Sequence, residues 1–291
     1  CLVDKPIRRH VCRETAIDYL LDNRLRDFFQ ESGYRQCSEE QLIHEMAVRA
    51  SALADCVIVL SQAPIGSGVS EDENKTIEIL HNLQSTLQLH HDPVLQHPKV
   101  FADFVAQVLC FGLLYAHRVV AGGEGEPPER YKAIRRFWSD AVYASYADRL
   151  VPFKALVAVL ESELSPNEES ASQLRCWYDD TRRLLAHVQL RDSQRNVPDY
   201  HTLYERFLAE FDPKTRFDFG AFYTPWELAS FTVGTAKAVI ESTFAGRSLF
   251  EGGNKIIDPC CGTGTFLEQL VRHSTGGDAA HLVGFEILPA P

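Results

Sequence analysis

The sequence predicts a mainly α N-terminal domain followed by the start of an α/β domain, and three observations lead there. Apolar residues recur at helical spacing through residues 1–199, with no sustained strand-type alternation. Residues 121–128 (AGGEGEPP) form the strongest break in the chain, between two helical stretches. Past residue 200 the order becomes helix, loop, helix, short apolar strand, glycine turn, helix, strand, which is how a parallel sheet begins. At 291 residues the chain is long enough for two domains, each with its own core. The boundaries that follow are 1–199 for the helical, coupler-like domain and 200–291 for the incomplete α/β part.

Each element has a local reason. Residues 15–30 place Ile17, Leu20, Leu21, Leu25 and Phe28 on one helical face. Ser38-Glu39-Glu40-Gln41 has capping-box form and opens a helix running to about Ser61. Residues 66–73 (GSGVSEDE) read as a loop, followed by helices near 74–90 and 99–119. Further helical patterns cover 129–147, 151–161 and 168–190. Residues 199–211 (DYHTLYERFLAEF) form an amphipathic helix and 212–220 a loop. Thr224 then predicts a cap, Pro225 a first helical residue and Glu227 the closing member of a capping box, for a helix ending near Phe244. Strands follow at 256–258 and 281–286, around a helix at 265–273.

The net charge of −11 is shared by both parts, and no basic stripe suited to nucleic acid is visible. Any surface that grips DNA is therefore expected outside this chain. The apolar stretch at 105–116 carries Gln107 and is too short to span a bilayer, so it reads as a buried helix and no membrane is expected. No secretory signal is seen, and the start at Cys1 suggests a piece of a larger protein. The eight cysteines form no C-x-x-C pair and no zinc-type spacing, which points to a reducing cytoplasm. Cys260 and Cys261 read as buried small hydrophobes rather than reactive thiols, and His90-His91 as solvated.

The turn Asp258-Pro259-Cys260-Cys261-Gly262-Thr263-Gly264 carries the most chemical information. Its glycines allow a sharp bend and close approach of a ligand, and the helix behind it aims free N–H groups at the site. A phosphate loop would end in G-K-[ST]; here Thr265 and Phe266 follow the second glycine, so that reading fails. Asp258 closes the first strand and favours a cationic group over a pyrophosphate. Glu286 closes the second strand about 20 residues after the turn, where an acid binds ribose hydroxyls. A ligand with a ribose, a positive region and no phosphate is S-adenosylmethionine.

These residues resemble a known family. DPCCGTGTFL is similar to the cofactor motif D-P-A-C-G-[ST]-G-x-F-L of DNA adenine-N6 methyltransferases. GAFYTP at 220–225 resembles the G-x-Y-Y-T-P tract that precedes it in the gamma-class order, and GFEILP at 284–289 the G-x-E-x-x-P segment. Residues 200–216 and 101–119 look like the helical region before the methyltransferase in large restriction-modification enzymes of the type ISP kind. The motif match covers residues 200–291, and the likeness over 1–199 is looser. The resemblance implies a Rossmann-like methyltransferase domain in a restriction-modification or phage-defence system, acting on double-stranded DNA, with possible nuclease or helicase modules as partners. It assigns Tyr223 and Thr224 to the methionine end of the cofactor, Asp258, Pro259, Cys260, Gly262 and Gly264 to the turn, and Glu286 to the ribose. Cys260 stands where that motif more often has alanine, and Phe266 is assigned to packing.

Transfer to adenine also needs a [DNS]-P-P-[YFW] motif to hold the flipped base. No such tetrapeptide occurs; Pro127-Pro128 is followed by Glu129. No catalytic residue is therefore assigned, the chain reads as the first half of a methyltransferase, and it is expected to be inactive alone. A non-catalytic helical scaffold with a regulatory or vestigial cofactor site is the alternative. A methyltransferase for RNA, protein or a small molecule is a further one, against which the FYTP tract argues.

Overall fold

The computed structural model describes residues 35–90, 97–120, 126–145, 151–162, 171–191, 200–214, 224–244, 247–274 and 281–286. The expected helix at 15–30, residues 121–125, His91 and Tyr223 lie outside them. The chain divides into two units, Cys1–Pro198 and Asp199–Pro291.

In the first unit, strand β1 (Arg35–Cys37) leads into helix α1 (Glu39–Gln62). The capping box is complete: the Ser38 hydroxyl accepts from Gln41 N, and the Gln41 side chain accepts from Ser38 N. Two of the N–H groups that a helix start leaves open are satisfied in this way. Helix α1 buries Leu42, Met46, Leu53, Val57 and Leu60, with Ala47, Ala50 and Ala54 between them. Those small residues let helix α3 (Pro98–Val120) approach closely, so that the Cys110 thiol reaches the Met46 carbonyl at 3.0 Å. Helix α3 is the one described helix long and apolar enough to cross a membrane, and 72% of its apolar window is buried inside the unit. It buries Phe101, Val105, Leu109 and Leu113 fully, as expected of a core helix.

Helix α2 (Glu71–His90) starts three residues before the sequence reading placed it. Ser70 Oγ accepts from Glu73 N, and Glu73 Oε2 accepts from Val69 N. The S-x-x-E signal at 70–73 thus lay inside the stretch read as a loop. Helices α4 (Pro127–Ser145), α5 (Val151–Glu161) and α6 (Gln173–His187) complete the unit. Gly112 of α3 is where the Trp138 indole of α4 packs: a Cβ there would lie 2.1 Å from the ring.

A further correction concerns residues 188–190, expected in a helix. Helix α6 ends at His187, and β2 (Val188–Leu190) pairs parallel with β1, Val188 opposite Arg35 and Leu190 opposite Cys37. Val188 and Leu190 are buried and Gln189 is exposed, the alternation of a strand with one covered face. Burial against a strand some 150 residues earlier in sequence decides this segment, and helical periodicity carries no trace of such a partner.

The second unit opens with helix α7 (Tyr200–Phe211) and continues with α8 (Trp226–Thr243), β3 (Lys255–Asp258), α9 (Thr265–His273) and β4 (His281–Gly284). Here too the cap differs from expectation. Pro225 is the N-cap residue, extended at ψ 132°, and no side chain caps the helix. With Pro225 itself extended, helical dihedrals begin only at Trp226, and Thr224 stands one residue too early to cap the helix. Strands β3 and β4 pair parallel, Ile256 opposite Leu282 and Ile257 opposite Val283. Ile256 and Leu282 pack with Phe266 and Leu267 onto a small core of Val233, Phe250 and Leu270. Ile257 and Val283, on the opposite face, are 57% and 38% exposed.

Candidate cofactor site

The site is built where β3 stops. Two ladder bonds run past the strand ends: Phe285 N donates to Asp258 O, and Cys261 N to Phe285 O, each at 2.9 Å. They clamp the turn to β4. Gly264 N then donates to Cys261 O at 2.8 Å and closes the bend, while Gly264 O receives Glu268 N as α9 begins. Gly262 and Gly264 have φ of 53° and 90°, the left-handed region where a side chain is strained. A Cβ on either would meet nothing within 4 Å, so the turn presents open space on that side. At Gly284 the reason for glycine is different. A Cβ would lie 2.8 Å from Cys261 Sγ and from a Leu267 methyl, so β4 can approach the turn only without one.

Two carboxylates face this turn. Asp258 Oδ1 accepts from Cys260 N at 3.2 Å, whereas its Oδ2 is buried and accepts no hydrogen bond from the described residues. A buried carboxylate oxygen left without a donor costs about 1–3 kcal/mol or more, which a cationic or hydrogen-bonding ligand would recover. Glu286 Oε2 accepts from Gly262 N at 2.7 Å, so the acid at the end of the second strand reaches the glycine turn. The structure therefore brings Asp258, Pro259, Cys260, Gly262, Gly264 and Glu286 together. Thr224 precedes α8 and is half-buried; Tyr223 is outside the described residues.

The two cysteines differ. Cys261 is half-buried, and burial, then the Asp258 and Glu286 carboxylates, push its thiol above the usual range. That is the opposite of the lowered pKa that marks a reactive cysteine. Cys260 is exposed, contrary to the expectation that both are buried, because it sits on the bend after the strand rather than on the core face. Phe266 packs against the small core, as assigned.

Helix α7 contributes groups that sequence reasoning missed. His201 Nδ1 lies 2.6 Å from Thr263 Oγ1, and its Nε2 lies 2.8 Å from Glu268 Oε2. Glu268 is held below its usual carboxyl range first by that His201 contact and then by Arg272. Tyr204 is buried, and burial, then Tyr200 and Glu286, raise its hydroxyl pKa. Sequence periodicity marked 199–211 as amphipathic but gave no partner for either side chain. Among the described residues no group of three or more His, Cys, Asp or Glu could hold a metal ion.

Comparison with known protein families adds an independent observation. Residues 199–290 match the family model of N-6 DNA methylase. The methylase match spans the second unit, glycine turn and both carboxylates included, and leaves the helical unit unmatched. No curated protein and no solved structure matches the chain.

Proposed function

We propose that the second unit is the S-adenosylmethionine-binding beginning of a Rossmann-like DNA adenine-N6 methyltransferase of gamma-class motif order. The observation that carries this reading is the orphaned Asp258 Oδ2, beside a glycine turn that the next strand's Glu286 reaches. The methylase family match over the same residues supports it. An unpaired carboxylate at the mouth of a phosphate site would repel its ligand; a cofactor with a cationic sulfonium and a ribose fits it.

Asp258, Pro259, Cys260, Gly262 and Gly264 would hold the cofactor along the turn, Glu286 its ribose, and Tyr223 and Thr224 its methionine end. S-adenosylmethionine supplies an activated methyl group bound to positively charged sulfur. The chain's own residues bind and orient: the glycines admit close backbone approach, and the carboxylates select charge. The open apolar face at Ile257 and Val283 supports a further layer packed on that side, because parallel sheets are covered on both faces. The surroundings of such an enzyme, in this reading, are a restriction-modification or phage-defence system of the type ISP kind in the cytoplasm. Duplex DNA would be gripped by regions outside this chain, and nuclease or helicase modules are the class of partner such a system would supply.

The test is ligand selectivity joined to transfer. The chain should bind S-adenosylmethionine and its demethylated product, and should ignore ATP and NAD. It should transfer no labelled methyl to duplex DNA by itself, because its 291 residues contain no [DNS]-P-P-[YFW] motif to hold a flipped adenine. Preference for ATP or NAD would overturn the cofactor reading. Methylation by the chain alone would show that the acceptor motif takes another form.

A further inference from the structure

We propose that His201 is a positioning residue that sets the shape of the glycine turn from helix α7, a role that rests on the cofactor reading above. Thr263 lies between the two left-handed glycines, so its side chain is the one handle within Gly262-Thr263-Gly264 by which the turn can be held. His201 holds that handle with one ring nitrogen and Glu268, in the first turn of α9, with the other. A single imidazole thus fixes both the bend and the helix start behind it.

The chemistry assigns the protons. The Glu268 carboxylate only accepts, so Nε2 carries hydrogen, and the Thr263 hydroxyl, which can donate or accept, satisfies Nδ1. The ring has little freedom to leave: His201 is 8% exposed, and Tyr200 packs edge-on against it with ring centroids 5.8 Å apart. Arg272 holds the same Glu268 carboxylate through its other oxygen at 2.8 Å, which keeps Glu268 charged and oriented toward the imidazole. Two glycines in a three-residue bend leave many backbone conformations open, and a ligand that needs one of them must freeze the rest. A clamp already present in the free protein removes that cost from binding.

The experiment compares the chain with its His201→Phe and Thr263→Val variants. Phenylalanine keeps a ring of similar size and removes both polar contacts; valine removes the hydroxyl alone. In the ligand-free protein, hydrogen exchange at the Gly262 and Gly264 amides should quicken about tenfold in each variant, with amides of α8 unchanged. S-adenosylmethionine affinity should fall about tenfold, and His201→Gln should recover part of it. The two substitutions together should cost little more than His201→Phe alone, since valine removes a contact that the phenylalanine has already broken. Unchanged exchange at the turn in both single variants would overturn the proposal, and so would unchanged affinity. If the parent chain binds no S-adenosylmethionine, the cofactor reading fails, while the exchange data still decide whether His201 holds the turn.

Discussion

Arg175→Met is expected to destabilise the helical unit by about 3–5 kcal/mol, the usual cost of removing one partner from a buried ion pair. Arg175 and Asp72 are 4% and 2% exposed. The guanidinium Nε contacts both Asp72 oxygens, at 3.1 and 3.0 Å, and Nη2 contacts Oδ1 at 2.5 Å. Its Nη1 donates to the Leu160 and Ser162 carbonyls at 3.2 and 2.5 Å, at the end of α5. Asp72 also accepts from Ser172 N at 2.7 Å, at the N-cap of α6. Three helices therefore meet on one pair of charges. Burial alone would raise the Asp72 pKa, but Arg175 and Ser172 outweigh it and hold the carboxyl below its ordinary value. Methionine would leave that carboxylate buried without its counter-charge. Urea unfolding measures the loss, and Asp72→Leu with Arg175→Met should recover much of it. A single-variant loss under about 1 kcal/mol would mean that the pair behaves as a surface bridge.

The helical unit should also lose stability in mild acid, because of His117. This side chain is wholly buried on α3, and among the described residues neither ring nitrogen has a partner in good hydrogen-bond geometry, the Leu185 carbonyl being only nearby. Burial, then the Arg130 and Arg118 charges, push its pKa from 6.5 down to about 3; the nearby Leu185 carbonyl offsets little of this. Between those values the unfolded chain takes up a proton that the folded chain refuses. Stability therefore falls as pH drops from about 6.5 toward 3, by about 1.4 kcal/mol per pH unit. At pH 5 the loss attributable to His117 should be about 2 kcal/mol. Asp72 acts lower: its stabilisation is present above 3.8 and is lost as pH falls through its depressed folded value. Denaturant melts at pH 7, 6 and 5 on the parent and on His117→Leu separate the two. The variant should show a shallower slope in this range, and equal slopes would assign the acid sensitivity elsewhere.

What the sequence made legible follows the range of the interactions. The Ser38 to Gln41 capping box was readable because both partners lie within one turn. So was the strand–turn–helix–strand order of 255–284, since glycines at left-handed φ and short apolar runs are local signals. Residues 188–190 were not, because their pairing with Arg35–Cys37 is a tertiary fact that overrides propensity. The start of α2 was missed for a different reason. The Ser70 to Glu73 signal was present, but the two glycines before it drew the whole stretch into a loop. His201 could not be found at all from local pattern: its partners are 62 and 67 residues away, and a histidine in an amphipathic helix is ordinarily just packed. The orphaned Asp258 oxygen likewise belongs to the fold, although the residue itself was marked by its place at the end of a strand.

The central claim is that Asp258 and Glu286, at adjacent strand ends, select S-adenosylmethionine. Titration calorimetry with this cofactor on the parent chain, Asp258→Asn, Glu286→Gln and Cys260→Ala tests it most directly. A hydrogen bond to a charged group contributes about 1.5–3 kcal/mol. Each carboxylate variant should therefore weaken binding by about tenfold or more, while Cys260, which joins the turn through its backbone N–H, should accept alanine with little change. Affinity that survives the loss of both carboxylates would contradict the account.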